Sequence, residues 1–237
     1  MTLSFRRSSL AVALAWVTGF AALLSATSAN AGFTAIPQPD AAYTSSTTLL
    51  PITGMNGDTT LTLFDANLTV TFSALMQVFT DWFSLGAPPA TEGNMPVPPV
   101  LSPVDFLNTP SVTMTFSHGL TTFGLESEPD AFGSLPMKMD FFSGATLLGT
   151  VSYGSVAGDS GAVLFAASSM TPITSATLTI EPTADFPAAT DPGIARLRYA
   201  LAPTSSVPDG GSSIGLMLIA LLATFSIHRW RQRASQA

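Results

Sequence analysis

The chain has 237 residues, 46% hydrophobic and 10% charged, with a formal net charge of −7 and no cysteine. All 15 acidic residues fall between Gly32 and Asp209, where Lys138, Arg196 and Arg198 are the only bases, so that segment alone carries −12. Such a segment cannot hold nucleic acid by neutralising phosphates, and a chain without thiols has no disulfide framework, thiolate metal site or lipidated cysteine.

Residues 1–31 read as an export signal. Arg6 and Arg7 form a positive start, Leu10 to Leu24 an apolar stretch, and Ser28-Ala29-Asn30-Ala31 a small-residue exit. Ala29 and Ala31 occupy the two positions that signal peptidase reads. A retained transmembrane helix fits the polar, Pro-containing segment that follows less well than cleavage does. The Arg6-Arg7 pair invites a twin-arginine reading, but Phe5 precedes it and Ser9 stands where an aromatic is usual, so general secretion is preferred.

Residues 32–206 are expected to form a single all-β ectodomain. Apolar residues alternate with Ser and Thr in Leu61–Leu63, Leu68–Phe72, Val112–Phe116, Phe123–Leu125, Met137–Phe141 and Leu178–Ile180, with a short apolar run at Val163–Ala167. Turn signals separate them: Asn56-Gly57-Asp58, Ser143-Gly144, Gly158-Asp159-Ser160-Gly161 and Asp191-Pro192-Gly193. Eight or nine short strands at this spacing predict an antiparallel β-sandwich. In the last run, strict alternation puts Ala195, Leu197, Tyr199 and Leu201 on one face and Arg196 and Arg198 on the other. Between Ser73 and Phe83, Leu75, Val78, Phe79 and Trp82 fall at helical spacing and suggest a short helix. Gly86 to Pro103 holds six prolines and reads as a long loop, a flap over one edge.

Candidate chemistry in this segment is sparse. His118, followed by Gly119, reads as a turn residue at a strand exit, and no Gly-x-Ser-x-Gly elbow accompanies it; Ser155 and Ser160 lie in Gly/Ser turns. Glu126 and Glu128 share one strand face, with Asp130 just beyond Pro129, and Asp140 and Asp159 are candidates to approach from other strands. The leading reading is a solvated acidic edge that discourages strand pairing. The alternatives are a Ca2+ site on Glu126, Glu128 and Asp130, although no D-x-D-x-D-G loop occurs, and a catalytic carboxylate pair. Trp82 and Tyr153 are candidates for stacking on sugar rings, with packing the preferred role for Trp82 among Phe79, Phe83 and Leu85.

Residues 207–237 mirror the amino end. Val207-Pro208-Asp209-Gly210-Gly211 precedes an apolar span over 212–227, and the uncharged run counted from Gly211 has 17 residues, the short end of a membrane-spanning helix. The tail 228–237 carries Arg229, Arg231 and Arg233, which fix it in the cytoplasm, with Trp230 as an interfacial anchor. A Pro-acid-Gly motif, one apolar helix and a terminal arginine cluster in this order resemble the PEP-CTERM sorting signals read by exosortases, in a VPDGG variant of the commoner VPEP motif. Pieces of the ectodomain, such as Phe123-Gly124-Leu125-Glu126-Ser127-Glu128-Pro129 and Ile194-Ala195-Arg196-Leu197-Arg198-Tyr199, are similar to recurring pieces of PEP-CTERM ectodomains, which implies a jelly-roll-like sandwich. The latter often carries an acidic residue where Arg196 stands, so no acidic ligand role is inherited there.

The resemblance implies removal of the helix near the motif and delivery to the cell surface or matrix of an exopolysaccharide-producing Gram-negative bacterium. The function expected is that of a non-enzymatic exported protein without an obligatory cofactor. Its partners would be signal peptidase, an exosortase, the membrane before processing, and exopolysaccharide. A carbohydrate-binding module, with or without Ca2+, is the alternative; a glycan-processing enzyme is the third reading.

Overall fold

Alternation becomes hydrogen-bonded strands in a computed structural model that describes residues 32–203, apart from 83–84, 94–96, 106–108, 132 and 185–189. The expected export signal with Ala29 and Ala31, the motif Val207–Gly211, the apolar span and Arg229, Arg231 and Arg233 lie outside the described residues. Within the described residues no helix is long and apolar enough to cross a membrane.

Two long strands organise the chain. β6 (Ser111–Pro129) and β9 (Val163–Ile180) run antiparallel for nearly their full lengths of 19 and 18 residues. Each joins two apolar runs that look separate in sequence. Ser117-His118-Gly119 does not turn the chain; it only shifts the register between the Thr115–Ser175 and Leu120–Ile173 pairs. Before the shift β6 also pairs with β4 (Thr69–Phe79), and after it with β10 (Pro192–Leu201). β5 (Val100–Pro103) bridges the far end of β4 to β10.

The remaining strands extend this frame. β3 (Thr59–Phe64) forms a hairpin with β4, closed by Asp65, whose Oδ1 accepts from the Asn67 and Leu68 amides at 2.7 and 2.8 Å. β7 (Ser134–Ser143) lies beside β9, and β8 (Thr146–Ala157) beside β7. β1 (Thr34–Ile36) pairs with the first half of β9, and β2 (Thr48–Leu49) with β10. Every one of these pairings is antiparallel, and the architecture is all-β. A six-residue helix, α1 (Ala41–Ser46), starts at Asp40, whose side chain accepts from the Tyr43 amide at 2.8 Å.

One apolar cluster draws on both stretches of β6: Val112, Met114 and Phe116 before the shift, Phe123 and Leu125 after it. Phe72, Phe141, Phe165 and Leu178 join them from β4, β7 and β9. Burying each such side chain contributes roughly 1.5–3 kcal/mol. Phe33 enters this core from the amino end, its ring 5.5 Å from Phe141, in space that any side chain at Gly149 would fill. The opposite face across β4, β6 and β9 carries hydroxyls, with Thr71 beside Thr115 and Ser175, and Thr113 bonded to Thr177 at 3.0 Å.

Three expectations are corrected. Residues 73–79 are strand, because Val70, Phe72, Met76 and Val78 turn inward with period two; Leu75 and Phe79 lie on the other face and imitate helical spacing. The Gly86–Pro103 segment is not all loop, since Val100–Pro103 is a fully buried strand. In β10 the core side is Ile194, Leu197 and Tyr199, and Ala195 faces away from it. The cause is one additional residue, as described next.

Candidate functional site

Strand alternation after the register shift sends Phe123 and Leu125 into the core and Gly124, Glu126 and Glu128 to the opposite face. Their cross-strand neighbours are Ala195 and Arg198 on β10, and Leu164 and Ala166 on β9. Two small apolar groups cover this patch. Tyr43 of α1 packs on Leu164 and Ala166, while Leu85, Val100, Ala162 and Ala195 form the other with Phe79 and Trp82. The glutamates are therefore sealed, each 1% exposed.

Between Ala195, opposite Glu126, and Arg198, opposite Gly124, β10 holds one residue more than β6. That bulge contains Arg196, at φ 47°, a left-handed conformation that costs a non-glycine residue on the order of 1–2 kcal/mol. The bulge aims its guanidinium across the covered face. Arg196 Nη1 donates to Glu126 Oε2 at 2.9 Å, with the two side chains 11% and 1% exposed, and Nη2 donates to the Gly93 carbonyl. The Glu92 amide donates to Glu126 Oε1 at 2.6 Å. Arg198 grips the Glu92 carboxylate in two places, Nε to Oε1 at 2.5 Å and Nη2 to Oε2 at 3.0 Å. Burial pushes the Glu126 carboxyl above its ordinary range, against the lowering effect of the Glu92 amide and Arg196. Burial likewise raises the Tyr43 phenol, whose hydroxyl has no hydrogen-bond partner among the described residues and sits against Gly124.

Two residues along, Glu128 ties down a different pair of segments. Trp82 Nε1 donates to its Oε1 at 2.6 Å, and the Gly161 amide to its Oε2 at 3.1 Å. The Ser160 amide adds a further bond, from a turn in which Asp159 and Ser160 both have positive φ, 66° and 74°. Burial raises the Glu128 carboxyl to about 7; these donors pull it down and Asp159 pushes it up. The Trp82 ring lies edge-on to Phe79 at 5.5 Å and presses on Gly193, where a Cβ would approach it to 2.8 Å.

The expected solvated acidic edge is thus a covered layer inside the fold. Alternation assigns a strand residue to a face but says nothing of what covers that face. Glu126, Glu128 and Asp130 are not brought together as a calcium set. The two glutamates hold different donors, and Asp130 lies past the strand end, where its amide bonds to the Asp191 carbonyl. Burial and then Asp191 raise its carboxyl. Among the described residues no three His, Cys, Asp or Glu side chains converge as metal ligands. Asp140 instead accepts from Thr150.

His118 lies within β6 rather than at a strand exit, exposed and hydrogen-bonded to Ser117 Oγ at 3.0 Å. Tyr153 is half-buried, edge-on to Phe165 at 5.1 Å, and donates its hydroxyl to the Leu164 carbonyl at 2.9 Å. Both sugar-stacking candidates are therefore packing residues with engaged polar atoms.

Sequence reasoning missed Glu92, Arg198 and Tyr43. A signal for the first two was present, because a −12 segment with only three bases sets two of them near each other on one strand. Arginines in such surroundings find carboxylates. Chemically the layer is a clamp: charges from β6 and β10 fasten Trp82, Glu92, Gly93 and the 160–161 turn onto the sheet.

No family model and no curated protein matches the chain by sequence. Among solved structures it is similar to TmCBM61 in complex with β-1,4-galactotriose, at 13% identity and a TM-score of 0.33, over 58% of this chain and 90% of that one. It is also similar to the enzymatically active domain of bacteriophage CBA120 tailspike protein 4, at 8% identity and a TM-score of 0.31, over 58% of this chain and 20% of that one. Likenesses of this extent leave the function to the chain's own residues.

Proposed function

We propose that the chain is an exported, non-catalytic surface or matrix protein, processed at both ends and sorted through its C-terminal segment by an exosortase-type enzyme. In this reading the two stretches of β6 and β9 belong to facing layers of a jelly-roll-like sandwich, with their shared core between them. The observation that carries the reading is where the strands begin and end. The first and last described strands, Thr34–Ile36 and Pro192–Leu201, fall between the expected cuts after Ala31 and within Val207–Gly211, so both cuts spare every described strand. Phe33, two residues past the first cut, is already packed on Phe141.

A non-catalytic role is supported by the state of the buried carboxylates. Glu126 and Glu128 each accept from at least two donors of the chain itself and lie under a fastened cover. A glycosidase acid and base must instead reach a substrate oxygen. The −12 segment suits a hydrated polysaccharide matrix, in which net charge keeps a protein soluble. Exopolysaccharide is the partner proposed there.

The test is the C-terminal peptide of the protein recovered from its native cells, read by mass spectrometry of envelope and medium fractions. An end within Val207 to Gly211 is expected. An intact Arg233-Ala234-Ser235-Gln236-Ala237 end in the membrane fraction would sink the sorting reading and leave a simple anchored protein.

A further inference from the structure

The clamp does not explain the hydroxyl-bearing face opposite the main core. Register places Thr71, Thr115 and Ser175 in one row across β4, β6 and β9, and Ser73, Thr113 and Thr177 in the next. Neighbouring strands lie about 4.8 Å apart, and same-face residues along a strand roughly 6.8 Å. The hydroxyls are thus set on a two-dimensional grid. Several are held in place: Thr113 bonds to Thr177 at 3.0 Å, Ser111 to Thr179 at 3.1 Å, and the Ser73 Oγ accepts from the Thr113 amide at 2.9 Å.

Two independent observations set this face apart from ordinary solvated sheet. The first is charge. In a segment with a net −12, the face's charges among the described residues are Asp140, already bonded to Thr150, and the Lys138–Glu181 pair at its rim, 2.9 Å apart. The second is Phe64. It stands opposite Thr69 on this same face and is 69% exposed, with no share in any apolar cluster. An aromatic ring beside ordered hydroxyls on a surface with few charges matches the chemistry of a sugar polymer, whose C–H faces stack on rings and whose hydroxyls both give and accept hydrogen bonds.

We propose that this face binds an uncharged polysaccharide chain, laid across β4, β6 and β9 with Phe64 stacking at one end. The inference rests on the reading of the chain as a surface or matrix protein and identifies its contact with polysaccharide. With one unpaired carboxylate, Asp140, and no free base among the described residues, the face offers nothing to anionic polymers, which the rest of this acidic surface repels.

Affinity electrophoresis of the protein purified from its own cells, through gels containing dextran, xyloglucan, a soluble β-1,3-glucan or alginate, tests this. At least one of the three uncharged polymers should retard the protein, and alginate should not. Thr115→Glu and Phe64→Ala should each weaken retardation at least about tenfold, while Ser45→Glu, which adds the same charge on α1, should leave it unchanged. Thr71→Glu serves as a second face variant, and thermal melts establish that each variant folds. The proposal is overturned if no uncharged polymer retards the protein, if alginate retards it equally, or if folded Thr115→Glu and Phe64→Ala variants bind as wild type does. Concentration-dependent dimers abolished by Thr115→Glu would assign the face to a second copy and overturn it too. A C-terminus cut within Val207–Gly211 with no glycan binding would remove this inference and leave the sorting reading intact.

Discussion

Arg196 reaches the sealed carboxylate of Glu126 at 2.9 Å from a left-handed backbone position that arginine seldom adopts. Local strain and a buried ion pair are thus concentrated in one residue. Each makes sense of the other: the bulge brings the guanidinium over the glutamate, and the ion pair offsets the strain of the bulge.

Breaking that pair should be costly, because a lone charge would remain under the cover. Arg196→Ala is expected to destabilise the fold by about 3–5 kcal/mol in urea titrations. Arg196→Gly should be milder than Ala by on the order of 1 kcal/mol, the reverse of the usual strand preference, since glycine tolerates the positive φ. A loss below about 1 kcal/mol for Arg196→Ala would mean that Glu126 is adequately served by the Glu92 amide alone.

Glu128 predicts a pH dependence with a definite sign. Its folded carboxyl titrates near 7, above the ordinary value of 4.5, so the native state binds this proton more tightly than the unfolded chain does. The contribution is full below about pH 4.5 and is lost as pH rises through 7, a change on the order of 2–3 kcal/mol. Glu126, also raised, adds in the same direction. Trp16 and Trp230 lie in the segments expected to be removed, which leaves Trp82 as the sole tryptophan of the processed chain. Its emission should titrate with a midpoint near 7, and Glu128→Gln should abolish the transition and flatten the stability curve between pH 5 and 7. Unchanged emission from pH 5 to 8 would contradict the Trp82–Glu128 hydrogen bond.

The Tyr43–Gly124 contact predicts opposite effects for two small changes. A Cβ at Gly124 would meet Ala166 Cβ at 2.3 Å and the Tyr43 hydroxyl at 2.5 Å, so Gly124→Ala should cost about 1–3 kcal/mol by overpacking. Tyr43→Phe removes a buried hydroxyl without a partner and should stabilise the fold by about 1 kcal/mol. Thermal melts of both variants decide this; a destabilised Tyr43→Phe would reveal a partner for the hydroxyl.

Glu92 should control the segment it belongs to. With Arg198 gripping its carboxylate, Glu92→Ala is expected to cost about 1.5–3 kcal/mol and to open residues 86–93 to limited proteolysis ahead of global unfolding. Cleavage at the wild-type rate would show that the Gly93–Arg196 and Trp82–Glu128 contacts suffice.

Most strands are legible in the sequence because one face of each is buried and period two follows from that. Val112–Phe116 and Phe123–Leu125 are recognisable as strand but not as the same strand, since Ser117-His118-Gly119 resembles a turn and only slips the register. The candidate site was less legible, for a physical reason. Glu126 and Glu128 look solvated until Tyr43, Trp82, Leu85 and Val100, distant in sequence, close over them. Cover of that kind comes from tertiary packing and leaves no periodic trace. Arg196 and Arg198 in so acidic a segment were the one clue to it.

The phase of β10 has a last implication. Without Arg196, Ile194, Leu197 and Tyr199 would alternate with Ala195 and Arg198 in unbroken order, so the arginine is an addition to the ladder rather than one of its rungs. A one-residue insertion or deletion elsewhere in β10 would swap the strand's inner and outer side chains from that point on. At position 196 the strand can change length and keep its faces, which makes this the place where the backbone can gain or lose a charge without rewriting the core.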